Sequence, residues 1–315
     1  MFSHHSHSGQ FCSHAKGTLE EVVKEAIRRG WSTLGMSEHV PRYRLQDLYP
    51  EEEESGVQQL STTFEAYLVE AWRLKSLYAS QIKILVGVET EFINEDGLDK
   101  LAELLDLHRD RIQYVVGSVH HCHEQPIDFD KPRFDAALGS FAGPDDLERF
   151  SQLFCAYFDA QYTLLQRLKP AVIGHFDLCR LYYPERDFMS FPEVWSKIER
   201  NISFGVGYGA LFEINASAFR KGWDSAYPGP DVFEAIVAQN GRFTLSDDSH
   251  GPLAVGLHYD KTFEYMCEMG LRELYCLIEE PTADDGETPK VVPVLVNGEP
   301  WQNKWSQDLE RLKSL

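Results

Sequence analysis

Residues 4–14 read HHSHSGQFCSH and place four histidines within eleven positions. In an extended strand alternate side chains share one face, so His5 and His7 point the same way, at a spacing suited to one metal ion. The stretch therefore predicts a metal site at the end of a first strand. The alternative is an exposed histidine-rich tail or an expression tag, which matching ligands elsewhere in the chain make less favoured.

Short apolar runs alternate with longer amphipathic stretches along the rest of the chain. After the N-terminal strand, we predict strands at Thr33–Met36, Ile82–Val88, Ile112–Gly117, Ala171–Ile173, Ala210–Ile214 and Arg242–Leu245. We predict helices at Thr18–Arg29, Gln58–Ala79, Leu98–Arg109, Asp145–Leu168, Pro192–Asn201, Pro230–Gln239 and Lys261–Met269. This alternation is typical of parallel βα units. Closure into a barrel is the expected architecture, and an open doubly wound sheet is the alternative.

The chain reads as a single domain over residues 1–315. Within it, residues from about 280 to 315 form a C-terminal extension, with a loop predicted at Pro281–Pro289 and a helix at Pro300–Leu315. Six cysteines without a CxxC pair indicate reduced thiols. The chemistry begins at His5, which leaves no room for a secretory signal, so a cytoplasmic protein is expected.

The amino-acid composition of the chain restricts the classes of molecule that it can bind. Hydrophobic residues make up 43% of the chain and charged residues 25%, as in globular proteins. The net charge of −20 argues against nucleic acid and anionic membranes as partners. No apolar run approaches the ~20 residues of a membrane span. A small phosphorylated substrate stays compatible with this charge if metal ions supply positive charge locally.

Six of the seven predicted strands end in or run into histidine or a carboxylate, at the barrel end where functional residues gather. Nine candidate metal ligands result: His5, His7, His14, His39, Glu89, His120, His175, Asp248 and His250. Imidazole and carboxylate together suit zinc, iron or manganese. A catalytic zinc takes three protein ligands, so nine ligands predict two or three divalent ions. Clusters of this kind are suited to hydrolysis at phosphorus.

The motifs also carry a family resemblance. They are His5-Ser6-His7-Ser8, Ser37-Glu38-His39, Gly87-Val88-Glu89, Gly117-Ser118-Val119-His120, Gly174-His175 and Asp248-Ser249-His250. In this order they resemble the PHP (polymerase and histidinol phosphatase) family, whose members are distorted TIM-like (β/α)7 barrels with a trinuclear metal centre. Within the family, Phe11-Cys12-Ser13-His14 and Asn215-Ala216-Ser217 are similar to the fungal-type histidinol-phosphate phosphatases.

This resemblance implies a phosphoric monoester hydrolase that converts L-histidinol phosphate to L-histidinol and phosphate in L-histidine biosynthesis. It assigns one ion to His5, His7, Glu89 and Asp248, a second to Glu89, His120 and His175, and a third to His14, His39 and His250. It makes Asp248, His120 and Glu89 the candidate catalytic residues. His4, His121 and His123 receive no role and are expected to support the ligands or lie on the surface.

Substrate contacts follow from the charges of the expected substrate. Arg220, Ser118 and Arg42 are the candidate substrate-binding residues, with Arg220 preferred for a phosphate oxygen because a guanidinium binds it bidentately. Arg44 is a weaker substitute. The substrate's amine is expected at one of three carboxylates, namely Asp128, Asp130 or Asp177.

Three other functions stay open at this point. One is a PHP phosphoesterase acting on nucleotides or another small phosphomonoester, although a nuclease would be expected to carry a basic groove. Another is a metallo-amidohydrolase, which also uses HxH on a first barrel strand but usually adds a modified lysine where this chain has Glu89. The third is a non-enzymatic, metal-responsive module, which would need neither nine ligands nor an open coordination position.

Overall fold

The computed structural model describes residues 1–280 and 291–296, together with Trp305, Gln307 and Glu310. Within these residues, a seven-stranded parallel sheet follows chain order, and its strands are called first to seventh below. They are Phe2–Ser3, Thr33–Met36, Lys83–Glu89, Tyr114–Gly117, Val172–Ile173, Leu211–Asn215 and Arg242–Ser246. All six neighbouring pairs are parallel, as βα units require.

The first and seventh strands close this sheet. The backbone nitrogen of His4 donates to the carbonyl oxygen of Leu245 at 3.2 Å. Two residues further on, the short strand Ser6–His7 pairs in parallel with Ser249–His250. The predicted TIM-like barrel is therefore confirmed, and the open doubly wound sheet is wrong.

The amino-terminal end of the barrel is plugged by side chains. The Tyr114 ring lies against Gly35 and Gly87, where any Cβ would collide with it, and its hydroxyl donates to the carbonyl of His4 at 2.8 Å. Leu277 belongs to the same buried hydrophobic cluster as Tyr114. It lies on a two-stranded antiparallel hairpin formed by Tyr275–Glu279 and Val291–Leu295. Only the carboxyl-terminal end of the barrel is thus left for chemistry among the described residues.

Helices surround the barrel. They span Leu19–Arg28, Gly56–Leu77, Glu95–Leu107, Lys131–Gly139, Asp146–Leu168, Pro192–Tyr208, Ser217–Arg220, Pro230–Ala238 and Tyr259–Glu268. Thr18 is the N-cap of the first helix and forms a capping box with Glu21. No helix in the described part of the chain is both long enough and apolar enough to cross a membrane.

The predicted strands that follow the N-terminal segment begin and end within two residues of the observed ones. The main error concerns the helix predicted at Pro192–Asn201, which continues to Tyr208. Gly205 lets the additional turns lie close to the sheet, because a side chain there would meet Ile173 and Phe212. The helices Lys131–Gly139 and Ser217–Arg220 were not predicted.

Much of the predicted C-terminal extension lies outside the described residues. This applies to the loop at Pro281–Pro289 and to most of the helix at Pro300–Leu315. Trp305 is described, and its ring packs 5.2 Å from that of Tyr259. The strand Val291–Leu295 was not predicted. The single-domain assignment of residues 1–315 stays a prediction.

Candidate active site

The carboxyl-terminal ends of the barrel strands surround a cleft of about 660 Å³. Its lining consists of Ser13, His14, His39, Tyr49, Glu51, Glu89, His120, Asp128, Phe129, His175, Arg220, Lys221, Asp248, His250 and Ala254. Seven of the nine predicted metal ligands are in this lining, and the other two, His5 and His7, lie beneath it against Glu89. Barrel closure brings these residues together because parallel strands all end on one side.

Glu89, at the end of the third strand, is the centre of the cluster. Its Oε1 atom lies 3.0 Å from Nε2 of His5 and 3.1 Å from Nε2 of His175. Its Oε2 atom lies 3.0 Å from Nδ1 of His39. The side chains of His7 and His120 approach the same carboxylate at 3.4 and 3.3 Å. One buried carboxylate thus contacts five imidazoles, as a shared ligand of neighbouring ions would.

Four sets of side chains are close enough to hold an ion. They are His5, His7 and Glu89; His7, Asp248 and His250; Glu89, His120 and His175; and Cys12, His14, His39 and His250. All nine predicted ligands are among them, in nearly the predicted grouping. Asp248 differs, because it groups with His7 and His250 and its Oδ1 lies 3.9 Å from His5. The role of the nine as metal ligands stays a prediction.

Cys12 is the member that the sequence analysis did not include. Its Sγ atom lies 3.2 Å from Nε2 of His14, and its side chain is buried. A signal was present in the sequence, since Cys12 precedes His14 by two residues in the opening stretch.

Several histidines of the cluster have the protonation state that a metal ligand needs. Burial lowers the pKa of His7 and of His14 to about 4, and that of His250 to about 3. These imidazoles are therefore neutral at pH 7, with a lone pair available. Burial acts in the same direction on His5, but the carboxylates of Glu89 and its neighbours outweigh it and raise the His5 pKa.

A second layer of carboxylates orients the imidazoles. Glu213, on the sixth strand, has Oε1 2.7 Å from Nδ1 of His5, and its Oε2 accepts from the backbone nitrogen of His175 at 2.7 Å. Glu91 has Oε1 3.3 Å from Nδ1 of His120. With a proton on these Nδ1 atoms, each Nε2 atom keeps its lone pair toward the cluster. Sequence reasoning placed Glu213 on a strand and Glu91 beyond one, but gave neither a role.

Several buried nitrogen atoms support the presence of cations. Among the described residues, Nε2 of His5, both ring nitrogens of His7 and both of His39 are buried and make no hydrogen bond of regular geometry, although Glu89 lies close to all three rings. Buried polar atoms are normally satisfied, so this concentration of unpaired donors and acceptors at one point requires another partner. Neutral imidazoles and ionised carboxylates are suitable ligands for divalent cations. The residues therefore fit metal ions.

Of the predicted substrate-binding residues, Arg220 alone reaches the cleft. It follows the sixth strand, and its Nη2 donates to the carbonyl of Asp248 at 3.2 Å. Ser118 is buried, outside the cleft lining, and its backbone pairs with the Thr90 hydroxyl.

Arg42 is also absent from the cleft lining. It is 4% exposed, with ion pairs to Glu52 at 2.7 Å and Glu91 at 3.4 Å. The geometry does not support substrate contact by Arg42 or Ser118. Arg42 instead holds Glu91, which in turn contacts His120.

The three carboxylates proposed to bind the substrate's amine also lie in different surroundings. Asp128 lines the cleft. Asp130 caps the helix Lys131–Gly139, accepting from the backbone nitrogen of Arg133 at 2.8 Å. Asp177 is fully buried and pairs with Arg180 at 2.6 Å.

The three histidines without an assigned role have different surroundings. His4 is buried, and its Nε2 accepts from the backbone nitrogen of Leu277 at 2.9 Å, on the far side of the strand from the cleft. His121 lies 2.9 Å from Glu91. His123 is exposed and stacks on Phe141. His4 and His123 are thus structural, and His121 helps to hold a carboxylate near the cleft.

Comparison with known proteins is consistent with this arrangement. The family model of the PHP domain matches residues 3–217, more than half of the chain. The chain belongs to the PHP family. A curated "probable histidinol-phosphatase" from Schizosaccharomyces pombe is 45% identical over 97% of this chain and 96% of its own length. The histidinol-phosphatase of Saccharomyces cerevisiae is 33% identical over 96% of this chain and its full length.

A solved structure shows the same PHP fold. The histidinol phosphate phosphatase of Lactococcus lactis, complexed with zinc, L-histidinol and phosphate, superposes with a TM-score of 0.62. The match covers 87% of this chain and 95% of that chain, at 20% sequence identity. At that identity the likeness concerns the fold.

Proposed function

We propose that the protein is a phosphoric monoester hydrolase that converts L-histidinol phosphate to L-histidinol and phosphate in histidine biosynthesis. The observation that carries the proposal is the convergence of nine candidate metal ligands on one cleft, beside Arg220, in a chain 45% identical to a probable fungal histidinol-phosphatase. Nucleotides are disfavoured as substrates because, apart from histidines, the described cleft lining offers two basic side chains, Arg220 and Lys221, for phosphates that the ions do not reach.

The nine ligands would hold two or three divalent ions of zinc, iron or manganese. The four sets described above would be the coordination sites, and Glu89 is shared between two of them. When bound, the ions would neutralise phosphate charge and lower the pKa of a coordinated water to about 7.

The protein's own contribution is to hold the ligands in place. Asn215 and Ser217 donate to Oδ2 of Asp248 at 3.3 and 3.0 Å, which leaves Oδ1 directed toward His7 at 3.6 Å. Asp248 has a φ of 47°, a left-handed conformation that aspartate tolerates better than most residues. The carboxylate of Asp248 is thus oriented by two hydrogen bonds, and its backbone has a conformation that few residue types adopt readily.

Arg220 would bind a phosphate oxygen. Among the described residues no carboxylate pairs with its guanidinium, which keeps donors available beyond the one bound to the carbonyl of Asp248. The leaving oxygen of histidinol takes up a proton during hydrolysis. Asp248 and the imidazoles beside it are the groups at the cleft that can carry this proton.

Phosphate release from L-histidinol phosphate, measured beside elemental analysis of the purified protein, tests the function. We expect turnover with bound metal, complete loss after chelation, and recovery on adding zinc, manganese or iron. Metal-replete protein that releases no phosphate would favour a regulatory module. A higher kcat/KM for a nucleotide 3′,5′-bisphosphate would favour the nucleotide phosphoesterase.

A further inference from the structure

The mouth of the cleft carries charges of both signs. Arg220 and Lys221 follow the sixth strand, whereas Glu51 and Asp128 come from segments after the second and fourth strands. In a closed seven-stranded barrel the second to fourth strands face the sixth across the mouth. A substrate with an anionic end and a cationic end matches this division.

Asp128 is the acidic group at the mouth that lacks a partner. Its Oδ1 atom is buried and has no hydrogen-bond partner among the residues described. Glu51, by contrast, lies 3.3 Å from Nδ1 of His14. An unpaired buried carboxylate oxygen is unfavourable unless a donor arrives, and a ligand ammonium group is the donor that suits it best.

The segment around Asp128 is anchored on both sides. The backbone nitrogen of Ile127 donates to the carbonyl of His120 at 2.9 Å, which joins the segment to the metal-ligand cluster. Phe129 stacks on Tyr49 with ring centroids 5.0 Å apart, and Asp130 caps the next helix. The carboxylate of Asp128 is therefore presented to the cleft by a fixed backbone, as selective binding requires.

We propose that Asp128 binds the substrate's ammonium group and thereby selects phosphate monoesters of amino alcohols, an inference that rests on the proposed function. The other two carboxylates that could receive an amine are engaged elsewhere, Asp130 at a helix N-terminus and Asp177 with Arg180. Tyr49 and Phe129, stacked on one another, also line the cleft and offer aromatic surface to the substrate's imidazole ring.

The experiment compares two substrates and two variants. The substrates are L-histidinol phosphate and its analogue without the amine, 3-(imidazol-4-yl)propyl phosphate. For Asp128→Asn we expect kcat/KM on histidinol phosphate to fall about 10- to 100-fold, mainly through KM, and to change less than about threefold on the analogue. Asp130→Asn, which keeps a helix-capping side chain, is the matched control and should behave as wild type on both.

Wild-type protein also tests the proposal without any variant. Removing the amine from the substrate should cost wild type about as much as Asp128→Asn does, and the two changes together should add little. Equal kcat/KM of wild type on both esters would overturn the role of Asp128 and leave the proposed function standing. An equal loss by Asp128→Asn on both esters would also overturn it. If wild type released phosphate from neither ester, both proposals would fail.

Discussion

The floor and the mouth of the cleft are built differently. The floor, here His5, His7, Glu89, His120, His175 and Asp248, consists of buried residues at or just beyond strand ends, tied to each other and to Glu213. The mouth, here Tyr49, Glu51, Asp128, Phe129, Arg220 and Lys221, lies outside the barrel strands.

This difference separates two tasks. Strand ends are fixed by the hydrogen bonds of the sheet, so the floor can hold ions at fixed distances whatever ester is bound. Segments outside the sheet can change without disturbing it, so the mouth can determine which ester enters. We therefore expect substitutions in the floor to affect every substrate, and substitutions in the mouth to affect substrates selectively.

Glu89→Gln should give the largest effect. The variant keeps the shape of the side chain and removes the charge that five imidazoles contact. We expect phosphate release to fall about 1000-fold or more on any phosphomonoester, with circular dichroism unchanged. Glu95→Gln, at an exposed helix start, is the control. Wild-type turnover of Glu89→Gln with full metal content would refute the metal-cluster mechanism.

The same division explains what could be predicted from sequence. The floor was predictable because each strand is a short apolar run and the next residue with chemistry must lie at the barrel end. His39 after Thr33–Met36 and His175 after Val172–Ile173 are examples. The barrel itself followed from the alternation of strands and helices, and the barrel placed the nine candidate ligands at one end.

The supporting residues could not be predicted, for a physical reason. Arg42 and Arg220 are both arginines in polar segments of the sequence, yet one is buried between Glu52 and Glu91 and the other lines the cleft. Their surroundings differ because of contacts between segments far apart in sequence. The spacing of apolar residues along the chain carries no information about such contacts. Glu213 was hidden for a related reason, since a carboxylate within a strand reads as an ordinary side chain until His5 is seen beside it.

Glu213→Gln should give an effect of intermediate size, and it tests whether metal binding by the floor depends on Glu213. The carboxylate contacts His5 and the backbone of His175, so the amide would leave one of these donors unpaired. We expect metal affinity, measured by competition with a chelator, to fall about 10- to 100-fold, while KM at saturating metal stays near that of wild type. Unchanged metal affinity would show that the floor does not depend on this second layer of carboxylates.

His4→Ala should give the smallest effect on activity, although His4 is adjacent to His5. Burial lowers the pKa of His4 to about 3, and its neutral ring accepts from Leu277 on the side of the strand away from the cleft. The variant leaves that backbone donor unpaired, so we expect a loss of about 1–3 kcal/mol in the free energy of unfolding. Urea titrations at equal metal content measure it, with exposed His123→Ala as the control. A fall in metal content or turnover would instead show that His4 acts with the residues of the floor. That result would contradict the assignment of His4 and His5 to opposite faces of the strand.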